Sequence, residues 1–131
     1  MDALHEMLRS ALKEYPLIRL CLVFGSMASG RSTPDSDLDI AVAAEQPLTA
    51  EIRLEVLEML STATGREVDL VDLMAETGPI LKQALSRCVI VQNHDKLLYA
   101  RLISRMLFEE ADMMPYYRRI LRERRERFIH G

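Results

Sequence analysis

The sequence predicts an α/β (α+β) fold, a small mixed β-sheet flanked by helices, with a helical C-terminal extension. Three observations lead to this prediction. Short apolar runs of strand length alternate with longer segments whose apolar residues recur at helical spacing. Glycine, proline or a capping residue stands at the boundaries between many of these segments. The last quarter of the chain is helical in pattern.

The first helix and the first strand are marked by their apolar spacing. Apolar residues at helical spacing run over about residues 2–14, where Asp2 can cap the helix and Pro16 follows its end. The run Ile18–Phe24, rich in branched and aromatic residues, then predicts a buried strand that Gly25 closes.

A loop separates this strand from the next. Residues 30–35 form that loop by composition, and over residues 37–42 apolar side chains alternate with others, which predicts a strand with one apolar face. Thr49 can cap a second helix, which carries an apolar stripe and stops at Gly65.

The rest of the chain continues the alternation of strands and helices. Glu67–Leu73 is a third predicted strand, Pro79 opens a helix, and Cys88–Val91 is a fourth strand. From about residue 95 to 128 the pattern is helical, and Pro115 is expected to interrupt it, giving more than one C-terminal helix.

Length and composition exclude several classes of protein. The 131 residues have room for a single domain, residues 1–131, with a core of about 17–92. A net charge of −3 does not suggest direct nucleic-acid binding. Cys21 and Cys88, both in apolar runs, indicate reduced core residues of a cytoplasmic protein. Neither a membrane span nor a signal peptide is expected.

The segment that carries most information is Gly25-Ser26, followed after ten residues by Asp37-Leu38-Asp39. Gly25 lets another group approach the backbone closely, and Ser26 opens a short helical turn whose hydroxyl and amides suit a phosphate. Asp37 and Asp39 stand two apart on a strand, so both carboxylates share one face. Because such carboxylates repel each other unless a cation lies between them, the spacing indicates a Mg²⁺ site beside a nucleotide phosphate.

A site with two metal ions needs a third carboxylate, to share one ion and take a proton. Asp69 lies mid-strand between apolar neighbours, where an ionised group needs a partner. Asp72 stands near the end of the strand, where a turn or capping role explains it. We therefore prefer Asp69 and keep Asp72 as the alternative, since strand parity alone does not decide between them.

Three other patterns admit simpler explanations. Gly25–Ser32 nearly matches a P-loop, but Arg31 replaces its lysine and no long helix is expected to follow, which argues against a P-loop. We expect Arg31 to be a loop arginine that is either solvated or in contact with a phosphate. Arg125 and His130 have the spacing of a HEPN ribonuclease motif but stand at the terminus. Residues 116–131 are rich in arginine and form either a solvated helix face or a docking surface for an acidic partner.

The motif Gly25-Ser26-x10-Asp37-x-Asp39, with a Val-Asp-Leu-Val strand downstream, resembles the signature of the polymerase-beta-like nucleotidyltransferase superfamily. The short chain resembles its minimal nucleotidyltransferases (MNT), which are encoded beside HEPN-domain ribonucleases in toxin–antitoxin pairs. This resemblance implies the nucleotidyltransferase fold, ATP as substrate, Mg²⁺ as cofactor and transfer of AMP to a hydroxyl. In the toxin–antitoxin members that hydroxyl belongs to a tyrosine of the HEPN toxin, which the modification silences, so we expect an antitoxin in a hetero-oligomer with such a toxin.

The resemblance also implies roles for individual residues. Gly25 and Ser26 would hold the triphosphate, Asp37 and Asp39 the metal ions, and Asp69 would be the third catalytic and metal-binding carboxylate. Two alternative functions stay open. One is nucleotidyl transfer to a small molecule such as an aminoglycoside, for which no acceptor-binding domain is obvious. The other is a binding-only antitoxin that masks its partner without chemistry.

Overall fold

The computed structural model describes residues 2–30 and 36–130, and their order of helices and strands is the predicted one. The elements are α1 (Asp2–Leu12), β1 (Leu20–Phe24), α2 (Ser26–Ser29), β2 (Leu38–Ala43), α3 (Ala50–Thr64), β3 (Val68–Asp72), α4 (Pro79–Ser86), β4 (Val89–Asn93) and α5 (Lys96–His130).

Some predictions fall on parts of the chain outside this description. Most of the loop predicted over 30–35 lies outside the described residues, and so does the question of what Arg31 contacts. The side chains of Arg125 and His130, like most of those in 116–131, are also outside the described part of the chain.

The four strands form one mixed sheet in the order β3-β2-β1-β4. β1 pairs antiparallel with both β2 and β4, whereas β2 and β3 run parallel. The parallel pair is joined by α3, as a crossover between parallel strands requires. The end of β1, the start of β2 and the start of β3 therefore lie at the same edge of the sheet.

Each face of the sheet carries its own apolar layer. Helices α1 and α3 cover the face to which Leu38 and Ile40 point. Helices α4 and α5 cover the other face, where Ala41 and Ala43 are fully buried. The prediction that β2 has a single apolar face is therefore wrong: alanine is small enough for a second helical layer to pack directly on this central strand.

The ends of α3 follow the predicted capping pattern. The Ile52 amide donates a hydrogen bond to Thr49 Oγ1 at 3.2 Å, which satisfies one amide of the first turn. At the other end Gly65 adopts a left-handed conformation with φ 66°, and its amide donates to the Ser61 carbonyl. The chain consequently leaves α3 at a defined point and enters β3 three residues later.

The C-terminal segment differs from the prediction. α5 runs without a break from Lys96 to His130, so the interruption expected at Pro115 is wrong. Proline removes one backbone hydrogen bond and disfavours a helix interior, but the residues on both sides are mostly strong helix formers and the helix continues past it. Among the described residues, no helix combines the length and the apolar character needed to cross a bilayer.

Candidate active site

The predicted site residues that the structure describes lie together at one edge of the sheet. Asp39, the second residue of β2, pairs with Phe24 of β1 on one side and with Asp69 of β3 on the other. Gly25 directly follows Phe24, so the glycine–serine turn begins beside Asp39. Strand pairing thus brings together three segments that are far apart in sequence.

The carboxylates of Asp39 and Asp69 share one face of the sheet. Along β2 and β3 the side chains of Ile40 and Leu70 belong to the layer under α1 and α3. Asp39 and Asp69 alternate with them and so face the α4/α5 side. Asp37, which the spacing predicts on the same face as Asp39, directly precedes β2. Asp37 and Asp69 are exposed and Asp39 is partly buried, which leaves this edge open to a ligand.

Gly25 is required both by its backbone conformation and by the space around it. Its φ of 70° and ψ of −143° lie in a region that residues with a side chain rarely adopt. A Cβ at this position would also collide with Oδ2 of Asp39 and lie 3.0 Å from its Cγ. The absence of a side chain at Gly25 therefore lets the Asp39 carboxylate lie against the backbone at the start of α2.

The predicted helical turn after Gly25 is present as α2, Ser26–Ser29. It ends at Gly30, whose φ is 74° and whose amide donates to the Ser26 carbonyl. The start of a helix carries backbone amides that its own turns do not use. Ser26 is partly buried at this start, next to the glycine that contacts Asp39.

Crowding of negative charge shows in the electrostatics of the site. Burial raises the pKa of the Asp39 carboxyl above its usual value, and the negative charges of Asp69 and Asp37 raise it further. A cation beside Asp39 would reverse this effect by favouring the ionised form. Negative charge is thus concentrated around Asp39 at this edge of the sheet.

The donor set fits Mg²⁺. Its protein atoms are carboxylate oxygens, the hard ligands that Mg²⁺ prefers, and this ion commonly binds through one or two carboxylates together with substrate phosphates. Within residues 2–30 and 36–130, no three acidic, histidine or cysteine side chains are gathered closely enough to enclose an ion by themselves.

The structure separates Asp72 from these carboxylates. Asp72 pairs with Val42, three positions along the strands from the Asp39–Asp69 pair, which is about 10 Å. Its side chain is almost fully buried, and its two oxygens accept hydrogen bonds from the amides of Leu48 at 2.7 Å and Met74 at 3.0 Å. Asp72 thus ties two loops to the end of β3, the turn and capping role considered for it above.

One basic side chain at this edge was missed by the sequence analysis. Nη1 of Arg66, in the connection between α3 and β3, lies 3.2 Å from Sδ of Met27 in α2. The sequence signal was an arginine between the capping glycine Gly65 and the acidic strand. No motif pointed to it, because its proximity to α2 arises only through the sheet.

The sheet order, the glycine–serine turn and the paired acidic strands together define a nucleotidyltransferase-type domain. Residues 6–97 match the family described as Polymerase beta, Nucleotidyltransferase. The chain belongs to this family, and the predicted fold class is confirmed.

Within this family, the chain is similar to particular proteins and solved structures. The chain is 33% identical over 92 residues to the protein adenylyltransferase MntA of Shewanella oneidensis. That match covers 68% of this chain and 66% of MntA, just under two thirds of its length. A chain in a crystal structure of a toxin–antitoxin with AMP-PNP is 25% identical, with a TM-score of 0.73 over 89% of this chain and 98% of that one. A structure of tri-AMPylated Shewanella oneidensis HEPN toxin with MNT antitoxin, 23% identical, shares the fold with a TM-score of 0.69 over 92% and 98% of the two chains. The resemblance to minimal nucleotidyltransferases is confirmed.

Proposed function

We propose that residues 1–131 form a single adenylyltransferase domain that transfers AMP from ATP to a hydroxyl of a HEPN-domain toxin and thereby acts as the antitoxin. The similarity to MntA, named a protein adenylyltransferase, supports the reaction. The similarity to a toxin–antitoxin structure with AMP-PNP, an analogue of ATP, supports both the nucleotide and the partner. The proposal depends above all on the position of Asp39, which lies between Asp69 and the backbone of Gly25.

Each predicted site residue takes a role in this proposal. Asp37 and Asp39 would hold Mg²⁺, which supplies positive charge against the phosphates when it is bound. Gly25 and Ser26 would bind the triphosphate through the backbone and the hydroxyl at the start of α2. Asp69, opposite Asp39 in the sheet, would be the third carboxylate.

The proposed reaction is an in-line displacement at the α-phosphorus of ATP. The oxygen of the acceptor hydroxyl, a tyrosine in the expected partner, forms a bond to this phosphorus. The bond from the same phosphorus to the oxygen that bridges to the β-phosphate breaks, and pyrophosphate leaves with that electron pair. Asp69 accepts the hydroxyl proton. The chain contributes positioning and electrostatic complementarity, the main sources of rate in phosphoryl transfer.

The cellular setting follows from the substrates. ATP and a ribonuclease toxin meet in the cytoplasm, so we propose that location for this chain. The two cysteines of the described region, Cys21 and Cys88, are both free thiols, which agrees with a reducing compartment.

The test is transfer of AMP to the purified HEPN toxin in the presence of ATP and Mg²⁺, followed by intact-protein mass spectrometry. We expect modification of a toxin tyrosine by the wild-type chain and a loss of rate of about 100-fold or more with Asp69→Asn, since a general base contributes that much. Asp39→Asn should also abolish transfer. Glu58→Gln, which removes an exposed carboxylate of α3, is the matched control and should leave the rate unchanged. Undiminished transfer in both aspartate variants would refute the assignment, and neutralisation by a variant without Asp37 and Asp39 carboxylates would favour the binding-only antitoxin.

A further inference from the structure

We propose that Arg66 binds the β- and γ-phosphates of the nucleotide and is the positive counterpart of the acidic residues at this edge of the sheet. The proposal rests on the proposed function. It adds a residue that the glycine–serine and aspartate motif does not contain, and it gives the triphosphate a side-chain cation.

The backbone holds Arg66 at the edge where the nucleotide would lie. Gly65 ends α3 in a left-handed conformation and turns the chain towards the sheet. The Leu38 amide then donates a hydrogen bond to the Glu67 carbonyl at 2.9 Å, which fixes the start of β3 against the start of β2. Arg66 is therefore anchored on both sides, two residues before the strand pair that carries Asp39 and Asp69.

The side chain of Arg66 extends to the glycine–serine turn. Its Nη1 lies 3.2 Å from Sδ of Met27, the residue that follows Ser26. A thioether sulfur is a weak acceptor without charge, so this contact leaves the positive charge of the guanidinium uncompensated. Among residues 2–30 and 36–130, no carboxylate oxygen lies within 4.0 Å of a guanidinium nitrogen of Arg66, so Arg66 forms no ion pair there.

Other arginines near the sheet are already engaged. Arg53 of α3 donates to the Leu70 carbonyl at 2.8 Å. Arg19, at the opposite end of the sheet, contacts Asp95 at 2.8 Å and Glu45 at 2.9 Å. Arg66 differs from both because, among the described residues, the acceptor of its side-chain hydrogen bond is a neutral sulfur.

The acidic residues at this edge would repel a triphosphate, and the Arg66 guanidinium offsets that repulsion. Among residues 2–30 and 36–130, the acidic residues on or next to the paired starts of β2 and β3 are Asp37, Asp39, Glu67 and Asp69. A triphosphate that enters here therefore meets strong repulsion. Arg66 precedes β3, and its guanidinium contacts Met27 of α2, which packs against the apolar layer on the face opposite Asp39 and Asp69. Carboxylates on one side of the turn and a guanidinium on the other suit a nucleotide whose α-phosphate lies near the aspartates and whose terminal phosphates reach Arg66. The planar guanidinium can donate two parallel hydrogen bonds to a phosphate.

The experiment compares binding of AMP-PNP and of AMP to the full chain in the presence of Mg²⁺ by isothermal titration calorimetry. Arg66→Met should weaken AMP-PNP binding by about 10-fold or more, the effect of a lost charged hydrogen bond, and should change AMP binding by less than about 2-fold. Arg66→Lys keeps a point charge without the fork and should give a smaller loss for AMP-PNP. In the transfer assay the KM for ATP should rise more than kcat falls.

Two control variants separate phosphate binding from a structural role. Met27→Leu removes the sulfur acceptor and keeps the guanidinium, so AMP-PNP affinity should stay close to that of the wild type. Arg101→Met removes an exposed arginine that lines a cavity with Asp95 and Glu45, at the far end of the sheet, and should have no effect.

Several results would overturn the proposal. These are unchanged AMP-PNP affinity in Arg66→Met, equal losses for AMP and AMP-PNP, or a loss in Met27→Leu as large as that in Arg66→Met. If Arg66→Met does not fold, the affinity of Arg66→Lys for AMP-PNP tests the proposal instead. Phosphate binding by Arg66 would be contradicted if folded Arg66→Lys kept wild-type affinity for AMP-PNP while Met27→Leu lost affinity. A wild-type chain that binds no AMP-PNP would instead contradict the proposed function itself.

Discussion

Replacing Asp72 with alanine should separate stability from catalysis among the acidic residues of β3. Asp72 is 1% exposed, and its carboxylate accepts hydrogen bonds from two backbone amides, those of Leu48 and Met74. Alanine would leave both amides without an acceptor. An unsatisfied buried donor costs about 1–3 kcal/mol, so two donors with partial relaxation give a loss of about 3 kcal/mol in the free energy of unfolding.

Urea denaturation followed by circular dichroism measures this loss. With a urea dependence of about 1.5 kcal/mol per molar, the midpoint should fall by about 2 M, and the melting temperature should fall by roughly 10 °C. Asp72→Asn keeps one acceptor oxygen and turns an amino group towards the second amide, so its loss should be intermediate.

The matched variant is Asp69→Asn, three residues earlier on the same strand. Asp69 is exposed, so its unfolding free energy should change by no more than about 0.5 kcal/mol while AMP transfer is lost. An Asp72→Ala variant with wild-type unfolding would refute the structural role assigned to Asp72. Full transfer by Asp69→Asn together with none by a folded Asp72→Asn would make Asp72 the third carboxylate.

Two further predictions follow from the described contacts. Gly25→Ala should destabilise the fold by about 1–3 kcal/mol and abolish transfer, because its Cβ would displace the Asp39 carboxylate. Urea denaturation measures the stability and the transfer assay measures the activity. A fully active, stable variant would contradict the close approach of the Asp39 carboxylate to Gly25. Hydrogen bonds from the Leu98 amide and the Arg19 side chain lower the pKa of Asp95. Its ionised form therefore stabilises the fold above the usual aspartate pKa, and this contribution is lost as pH falls through the lowered value. The difference in urea midpoint between wild type and Asp95→Asn should shrink between about pH 7 and pH 3, and a constant difference would exclude this linkage.

Local signals in the sequence were sufficient for much of the architecture. Thr49 and Gly65 cap α3 as predicted, because capping depends on residues within one turn of the helix end. The strand that ends at Gly25 is likewise specified by its own composition. Pro115 shows the limit of such signals, since its effect on a helix depends on the residues around it.

The sequence by itself determined the order of the elements and the spacing of Gly25, Ser26, Asp37 and Asp39, because these follow from short-range preferences and from the two-residue period of a strand. Only the tertiary structure decided that Asp69, and not Asp72, lies beside Asp39. The pairing of β2 with β3 joins segments about thirty residues apart, and a register fixed by two buried faces is not visible in either strand alone. The same long-range pairing places the guanidinium of Arg66, which follows the C-terminal end of α3, beside the glycine–serine turn where a phosphate is expected.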